Sequence, residues 1–318
     1  MRELKLLAGR SHPKLAKEIA KCLDIALCDV MLSNSASGEI ICSINESLRG
    51  NDVFILQSHG SDINSTIMEQ AIMIDAAKRA SASSITAVCP ILGYARQDRK
   101  SGGREPITGH LIVDILAKAG ADRIVSVDLH SGQTQGFFDG PFDHLIARPI
   151  LVEYLKDELK DEDLIIVAPD AGRGKSAERF SDDLYCGMAI IHKHRSTTNH
   201  NTVEARYLMG DVAGKTCIVI DDMIDTAGTL CAAADLLMEK GAKQVYGLAT
   251  HDILSDPAME RIDNSAFKKI FITNTIPLAK NYSKKLIVVS IAPLLADAIR
   301  AIYERSSVST LFGGENQM

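Results

Sequence analysis

The chain has 318 residues, 46% of them hydrophobic and 24% charged, with a formal net charge of −6. That length exceeds an ordinary single domain and suits two, with enough chain for a sizeable core. The acid excess argues against a general reader of nucleic-acid backbones or anionic membranes, which gains its affinity from a basic face. An anionic ligand has to be met by a local basic cluster.

Seven cysteines (Cys22, Cys28, Cys42, Cys89, Cys186, Cys217 and Cys231) lack C-x-x-C spacing, and several sit in apolar runs. A free thiol there acts as a small hydrophobe, so a reducing compartment without structural zinc is expected. The stretch "MRELKLLAGR" mixes charge and apolar residues too early for a signal peptide, and "LIVVSIAPLLA" is too short to span a bilayer. A cytoplasmic protein without membrane attachment is expected.

In chain order, β-branched apolar runs begin at Asp52 ("DVFILQS"), Ile85 ("ITAVCP"), Arg123 ("RIVSVDL") and Leu164 ("LIIVAPD"). Others follow at Ala189 ("AIIHKH"), Thr216 ("TCIVIDD"), Gln244 ("QVYGLATH"), Lys268 ("KKIFITNT") and Lys285 ("KLIVVSI"). Helical patterns separate them. Near-continuous apolar strands alternating with helices predict an α/β protein with mainly parallel sheets covered by helices on both faces.

Two segments resemble copies of one unit. "VFILQSHGSDINST" (53–66) and "CIVIDDMIDTAGT" (217–229) each read as a strand and a loop closing on Thr at a helix start. Leu56 and Thr66 have the same separation as Val219 and Thr229, which aligns Asp62 with Asp225 and Thr66 with Thr229. Ser58 and His59 then stand where the second copy has Asp221 and Asp222. The alternative is two unrelated βαβ units, a common motif. Duplication predicts similar domains at 1–145 and 146–318, with the boundary near "GPFDHLIARPI" and the C-terminal tail packing back on the first domain.

The loop "DDMIDTAGT" joins two chemistries. A helix N-terminus offers unpaired N–H groups and a positive dipole end, and small residues at Ala227 and Gly228 let that backbone approach a phosphate. Carboxylates at Asp221 and Asp222 would repel phosphate but accept hydrogen bonds from hydroxyls. A ligand with a phosphate at one end and a vicinal diol in its middle satisfies both, which describes a ribose 5-phosphate unit. "GRGKS" at 172–176 is a decoy: a Walker A loop requires Gly at position 169, where Pro169 stands.

The acid loop resembles the ribose-phosphate signature of phosphoribosyltransferases. "VDLHSGQTQGFFDGPFD", "YARQDRK" with "GREPIT", and "PDAGRGKSAERF" narrow the likeness to the ribose-phosphate diphosphokinase family, and it extends from "LAGRSHPKLAKEIA" to "SVSTLF". The resemblance implies two phosphoribosyltransferase-like domains and Mg²⁺-dependent transfer of the diphosphoryl group of ATP to the anomeric hydroxyl of ribose 5-phosphate. It implies that Asp221 and Asp222 hold the ribose hydroxyls while Asp225, Thr226, Ala227, Gly228 and Thr229 wrap the 5-phosphate. Lys193 and Arg195 become the catalytic cations, Arg195 also contacting the sugar phosphate, on a loop continuing through "STTNHNT" that would close over the reacting phosphates.

His130 and Asp170 become the metal ligands by the same resemblance, with Asp128 and Asp139 as further candidates. Magnesium prefers oxygen ligands, so a lone His would not by itself read as its ligand. ATP contacts fall on Ser37, Gly38, Glu39, Arg96, Gln97 and Arg99. Ser47, Arg49, Ser81, Arg104, Ser307 and Ser309 match positions that the family associates with an allosteric phosphate and ADP site between subunits of a hexamer.

The chain departs from the family in "NSASGE", where Ser35 and Ser37 replace the usual aromatic and Asn or Asp of the adenine segment. Loss of a stacking ring should weaken ATP binding or relax nucleotide choice. Asp252 and Asp256 stand where glycine is commoner. Two other readings are a non-catalytic regulatory subunit, and an ordinary phosphoribosyltransferase, against which the "RQDR" segment speaks.

Overall fold

A computed structural model describes residues 2–60, 62–195 and 204–312, with backbone alone at 193–195, 204–206 and 312. The chain forms two compact units: Met1–Ala147 with Thr275–Pro277 and Ser290–Met318, and Arg148–Asn274 with Leu278–Val289.

The first unit opens with β1 (Leu4–Ala8) and α1 (Pro13–Leu23). Pro13 suits the first turn, where no N–H is needed, and the His12 ring accepts from the Leu15 N–H. A hairpin of β2 (Val30–Asn34) and β3 (Ile40–Ile44) follows. Then come β4 (Asp52–Leu56), α2 (Ile63–Arg79), β5 (Ser84–Cys89), α3 (Thr108–Ala119), β6 (Arg123–Val127) and β7 (Phe142–Leu145).

The sheet order is β1-β4-β5-β6-β7, all parallel. All five residues of β4 are buried, as a near-continuous apolar run in a covered parallel sheet requires. Val53, Ile55, Met73, Ile74, Ile85 and Ala87 belong to the core beneath it.

The second unit contains α4 (Arg148–Glu158), β8 (Leu164–Ala168), α5 (Gly174–Leu184), β9 (Gly187–Arg195) and β10 (Glu204–Met209). It continues with β11 (Thr216–Ile224), α6 (Gly228–Glu239), β12 (Gln244–Asp252), α7 (Ala258–Asn264), β13 (Phe267–Thr273) and β14 (Leu286–Val289). Its order is β10-β9-β8-β11-β12-β13-β14, with only the β10–β9 pair antiparallel. The last helix, α8 (Ala292–Tyr303), returns to the first unit and packs on α1.

Strand by strand, β1-β4-β5-β6-β7 repeats as β8-β11-β12-β13-β14. A two-stranded excursion follows the helix after the first strand in both units: β2 and β3 after α1 in one, β9 and β10 after α5 in the other. The register corrects the sequence alignment by one residue. Asp52 and Thr216 are the first paired residues of β4 and β11, so Gln57 and Ser58, rather than Ser58 and His59, stand opposite Asp221 and Asp222. The loops differ too: Asp62 (φ 47°) precedes α2 and Ala227 (φ 58°) precedes α6, so the helix start matches Asp62 with Ala227, not with Asp225. The reason is the longer β11, which continues to Ile224 and moves its helix start along the chain. Among the described residues no helix is long and apolar enough to cross a membrane.

Candidate active site

In open α/β sheets ligands sit at the carboxyl ends of the strands. In the second unit that end of β11 carries the acid loop. Thr216–Ile220 are buried, fixing the strand, while Asp221 is partly exposed and Asp222 is 9% exposed. Ala227 adopts φ 58°, turning the chain so that α6 starts at Gly228, and the Cys231 N–H to Ala227 carbonyl bond closes its first turn. The N–H groups at the head of a helix have no intrahelical acceptor and suit an anion.

One residue that the sequence reading passed over organises the acids. Arg173 follows β8, which is the parallel neighbour of β11. Its Nε lies 3.1 Å from Asp221 Oδ1 and its Nη2 lies 2.6 Å from Asp222 Oδ1. The Asp222 N–H also donates to Asp221 Oδ1 at 2.8 Å. Burial pushes the Asp221 carboxyl well above its ordinary value, and the neighbouring Asp222 adds to the rise; Arg173 opposes it. The sequence signal was Arg173 inside "PDAGRGKS", set aside there as part of a false Walker motif. A second missed residue is Arg261 on α7, whose Nη1 donates to the Thr226 carbonyl at 2.9 Å.

Asp170 follows β8 and caps a short 3-10 turn, its Oδ1 accepting from the Arg173 N–H at 3.2 Å. The side chains of Lys193 and Arg195 and the loop 196–203 lie outside the described residues, though both residues have a backbone place on β9.

In the first unit, β6 ends in a turn at Asp128 (φ 38°) that presents an exposed His130. The turn is fixed by the Leu129 N–H donating to His144 Nε2 at 2.8 Å and the Ala147 N–H donating to Asp128 Oδ2 at 3.3 Å. Among the described residues no three His, Cys, Asp or Glu side chains form a ready metal cage. The donor chemistry still fits magnesium, which commonly binds through one or two carboxylates and completes its shell with water and substrate phosphates. Asp170 offers such an oxygen.

Ser35–Gly38 form the hairpin turn between β2 and β3. Ser35 Oγ and Ser37 Oγ lie 2.8 Å apart, Ser35 Oγ accepts from the Glu39 N–H at 3.0 Å, and Ser37 Oγ donates to Glu39 at 3.1 Å. Both serines serve the turn's own hydrogen bonding. Arg96, Gln97 and Arg99 are exposed after β5. Gly109 at the head of α3 lets that loop pack closely, since a side chain there would meet the carbonyls of Tyr94 and Gln97.

The effector candidates fall in separate places. The Gly50 N–H donates to the Ser81 carbonyl at 2.9 Å, joining the Ser47–Arg49 turn to Ser81. Ser307 and Ser309 instead line an open cavity of about 470 Å³ with Arg123, Asp143 and Arg305. Arg104, exposed and at φ 65°, lies in the segment before α3.

The equivalent position in the first unit has closed on itself. Gln57 Oε1 accepts from Ser11 Oγ at 2.6 Å, and Gln57 Nε2 donates to Glu69 at 2.9 Å. Gly9 lets Gln57 pack closely, because a Cβ there would lie 2.2 Å from Gln57 Oε1 and displace the amide.

Acceptor carboxylates beside an open helix head, at the carboxyl end of a mainly parallel sheet, make the β11–α6 loop the candidate ligand site of an α/β protein. Comparison with known proteins makes this specific. Residues 4–120 match the N-terminal domain of ribose phosphate pyrophosphokinase, and residues 207–313 match the phosphoribosyl synthetase-associated domain. The chain is 51% identical over 315 residues to a ribose-phosphate pyrophosphokinase of Bifidobacterium longum, covering 98% of this chain and 93% of that one. It is 50% identical to one of Clostridium tetani, over 98% of each chain. The crystal structure of phosphoribosylpyrophosphate synthetase from Mycobacterium smegmatis superposes with a TM-score of 0.90 at 50% identity, covering 96% of this chain and all of that one. The chain belongs to the ribose-phosphate pyrophosphokinase family and is an enzyme.

Proposed function

We propose that the chain transfers the diphosphoryl group of ATP to the anomeric hydroxyl of ribose 5-phosphate, giving phosphoribosyl diphosphate and AMP. The observation that carries this reading is the β11–α6 loop, where an Arg-held acid pair precedes a helix opened by Gly228. Asp221 and Asp222 accept from the ribose hydroxyls, while the backbone from Asp225 to Thr229 receives the 5-phosphate. Transfer of this kind depends on positioning and on neutralising oxygen charge rather than on covalent chemistry. Lys193 and Arg195 supply cations to the migrating group. Arg96, Gln97 and Arg99, with Ser37, Gly38 and Glu39, hold the nucleotide. Asp170, and by the family resemblance His130, would hold Mg²⁺, which would supply further charge neutralisation when bound.

The test follows AMP and phosphoribosyl diphosphate together, with Mg²⁺, ribose 5-phosphate and ATP, in the native chain and in Lys193→Ala. Equal formation of both products, lost in the variant, supports the reading; no product with any nucleoside triphosphate rejects it. The same assay with GTP examines donor choice, since Ser35 and Ser37 are engaged in their own turn and offer no ring to adenine. Unaltered preference for ATP with ordinary affinity would remove the idea of a relaxed site. Phosphate and ADP are proposed effectors through Ser47, Arg49, Ser81, Arg104, Ser307 and Ser309 of a homohexamer. Activity against phosphate and ADP, with the mass measured in solution, checks both proposals.

A further inference from the structure

Two carboxylates on consecutive residues create a problem that the fold has to solve. Asp221 is partly and Asp222 largely withdrawn from water at the end of a buried strand, and like charges so placed tend to share a proton. A shared proton turns one of two acceptors into a donor. A vicinal diol has two hydroxyl donors and is best met by two acceptors held at a set separation.

Arg173 opposes the shared proton and can fix that separation. Its guanidinium is planar, always charged, and offers donors in a rigid fork. Here the fork is divided between the two acids, Nε to Asp221 Oδ1 and Nη2 to Asp222 Oδ1, at 3.1 and 2.6 Å. The spacing of the carboxylates is therefore set by a rigid group. Arg173 is itself held: its N–H bonds to the Asp170 carboxylate at 3.2 Å, α5 begins at the next residue, and its side chain is 22% exposed. The parallel pairing of β8 with β11 brings the two strand ends together.

We propose that Arg173 is the positioning residue that keeps Asp221 and Asp222 as a spaced pair of acceptors, and so sets the preference for a sugar phosphate with both ribose hydroxyls over its 2-deoxy counterpart. This rests on the reading of the β11–α6 loop as the ribose-phosphate seat. The guanidinium acts through the acids and needs no contact with the sugar. A lysine, with a single point of charge, can neutralise the acids but cannot fix their spacing in the same way.

The experiment uses the full chain with MgATP and compares the native protein with Arg173→Met and Arg173→Lys. KM and kcat are measured for ribose 5-phosphate, and 2-deoxyribose 5-phosphate is titrated as a competitive inhibitor. Thermal unfolding of each protein shows whether it folds. The native protein tests the seat itself: no turnover of ribose 5-phosphate there defeats the proposed function and not the role of Arg173 alone. With native turnover in hand, Arg173→Met should raise KM for ribose 5-phosphate about tenfold, leaving kcat and the inhibition constant of the deoxy sugar within about twofold. Arg173→Lys should recover part of the loss. Equal weakening toward both sugars would reduce Arg173 to a structural support and overturn the proposal, as would an unchanged KM in both variants. A fall in KM would mean that Arg173 occupies the diol's place and is displaced by it, which also overturns it. If Arg173→Met does not fold, the Arg173→Lys discrimination ratio decides: a ratio equal to the native one defeats the proposal.

Discussion

Arg261 on α7 and Thr226 in the acid loop are joined by a hydrogen bond of 2.9 Å from guanidinium to carbonyl oxygen. The bond ties the loop to a neighbouring helix without using any side chain of the loop. Hydrogen bonds from charged donors contribute roughly 1.5–3 kcal/mol. Arg261→Ala should therefore raise KM for ribose 5-phosphate by about tenfold or more, with little change in unfolding temperature because Arg261 is exposed. An unaltered KM would show that the loop keeps its shape without the brace.

The raised carboxyl of Asp221 makes affinity for the sugar pH-dependent. Burial and Asp222 favour its protonated form, so it takes up a proton at a pH where ordinary carboxylates are still charged. KM for ribose 5-phosphate should rise as pH falls through that elevated range, before the protein unfolds. A KM independent of pH down to the ordinary carboxylate range would contradict this.

His59 gives a stability prediction with a defined window. It is 1% exposed, its Nδ1 accepts from the Gly93 N–H, and Nε2 faces Gln70 Oε1 at 2.9 Å, an arrangement that suits the neutral ring. Burial lowers its pKa from 6.5 to about 4. A base depressed on folding contributes stability present above its unfolded pKa and lost as pH falls through its folded one. Between pH 6.5 and about 4 the native protein should lose about 3 kcal/mol through this group. His59→Gln, less stable at neutral pH, should show a shallower loss over that window; an identical slope in denaturant titrations would exclude His59 as the source.

Asp252 has the opposite sign. It ends β12, is 2% exposed, and neither carboxylate oxygen has a hydrogen bond from another described residue. Burial raises its pKa well above 3.8. An acid raised on folding contributes stability that is complete below its unfolded pKa and is lost as pH rises through the folded one. Asp252→Asn, which cannot ionise, should gain stability relative to the native chain as pH is raised above the ordinary carboxylate range. A gap that narrows over that rise would show that Asp252 is charged and stabilised in the fold. Asp256, exposed in the following turn, has no structural rationale.

What the sequence revealed depended on how strongly each segment was constrained. The nine apolar runs all became strands, and burial on both faces accounts for the unbroken apolar signature of β4 and of Thr216–Ile220 in β11. β1, β2, β3, β7 and β10 were not read. β2 and β3 are a hairpin of mixed burial, β7 carries Asp143 and His144 among its four residues, and β10 pairs with β9 alone, so none of these carries that signature. The acid loop was legible because acids, small residues and a helix start are local in sequence. Arg173 was not, since its partners lie on another strand and only the pairing of β8 with β11 brings them near. The one-residue error in aligning the two units arose because loop length was matched before strand register, and β11 continues beyond the point where β4 ends.

The knot of Gln57, Ser11 and Glu69 in the first unit has an arithmetic meaning. The twin of the acid-bearing strand end engages Gln57 with Ser11 and Glu69 and carries no acid pair to receive a diol. Saturation with ribose 5-phosphate should then follow a single-phase isotherm at one sugar per polypeptide, whatever assembly the chains form, although the architecture is present twice.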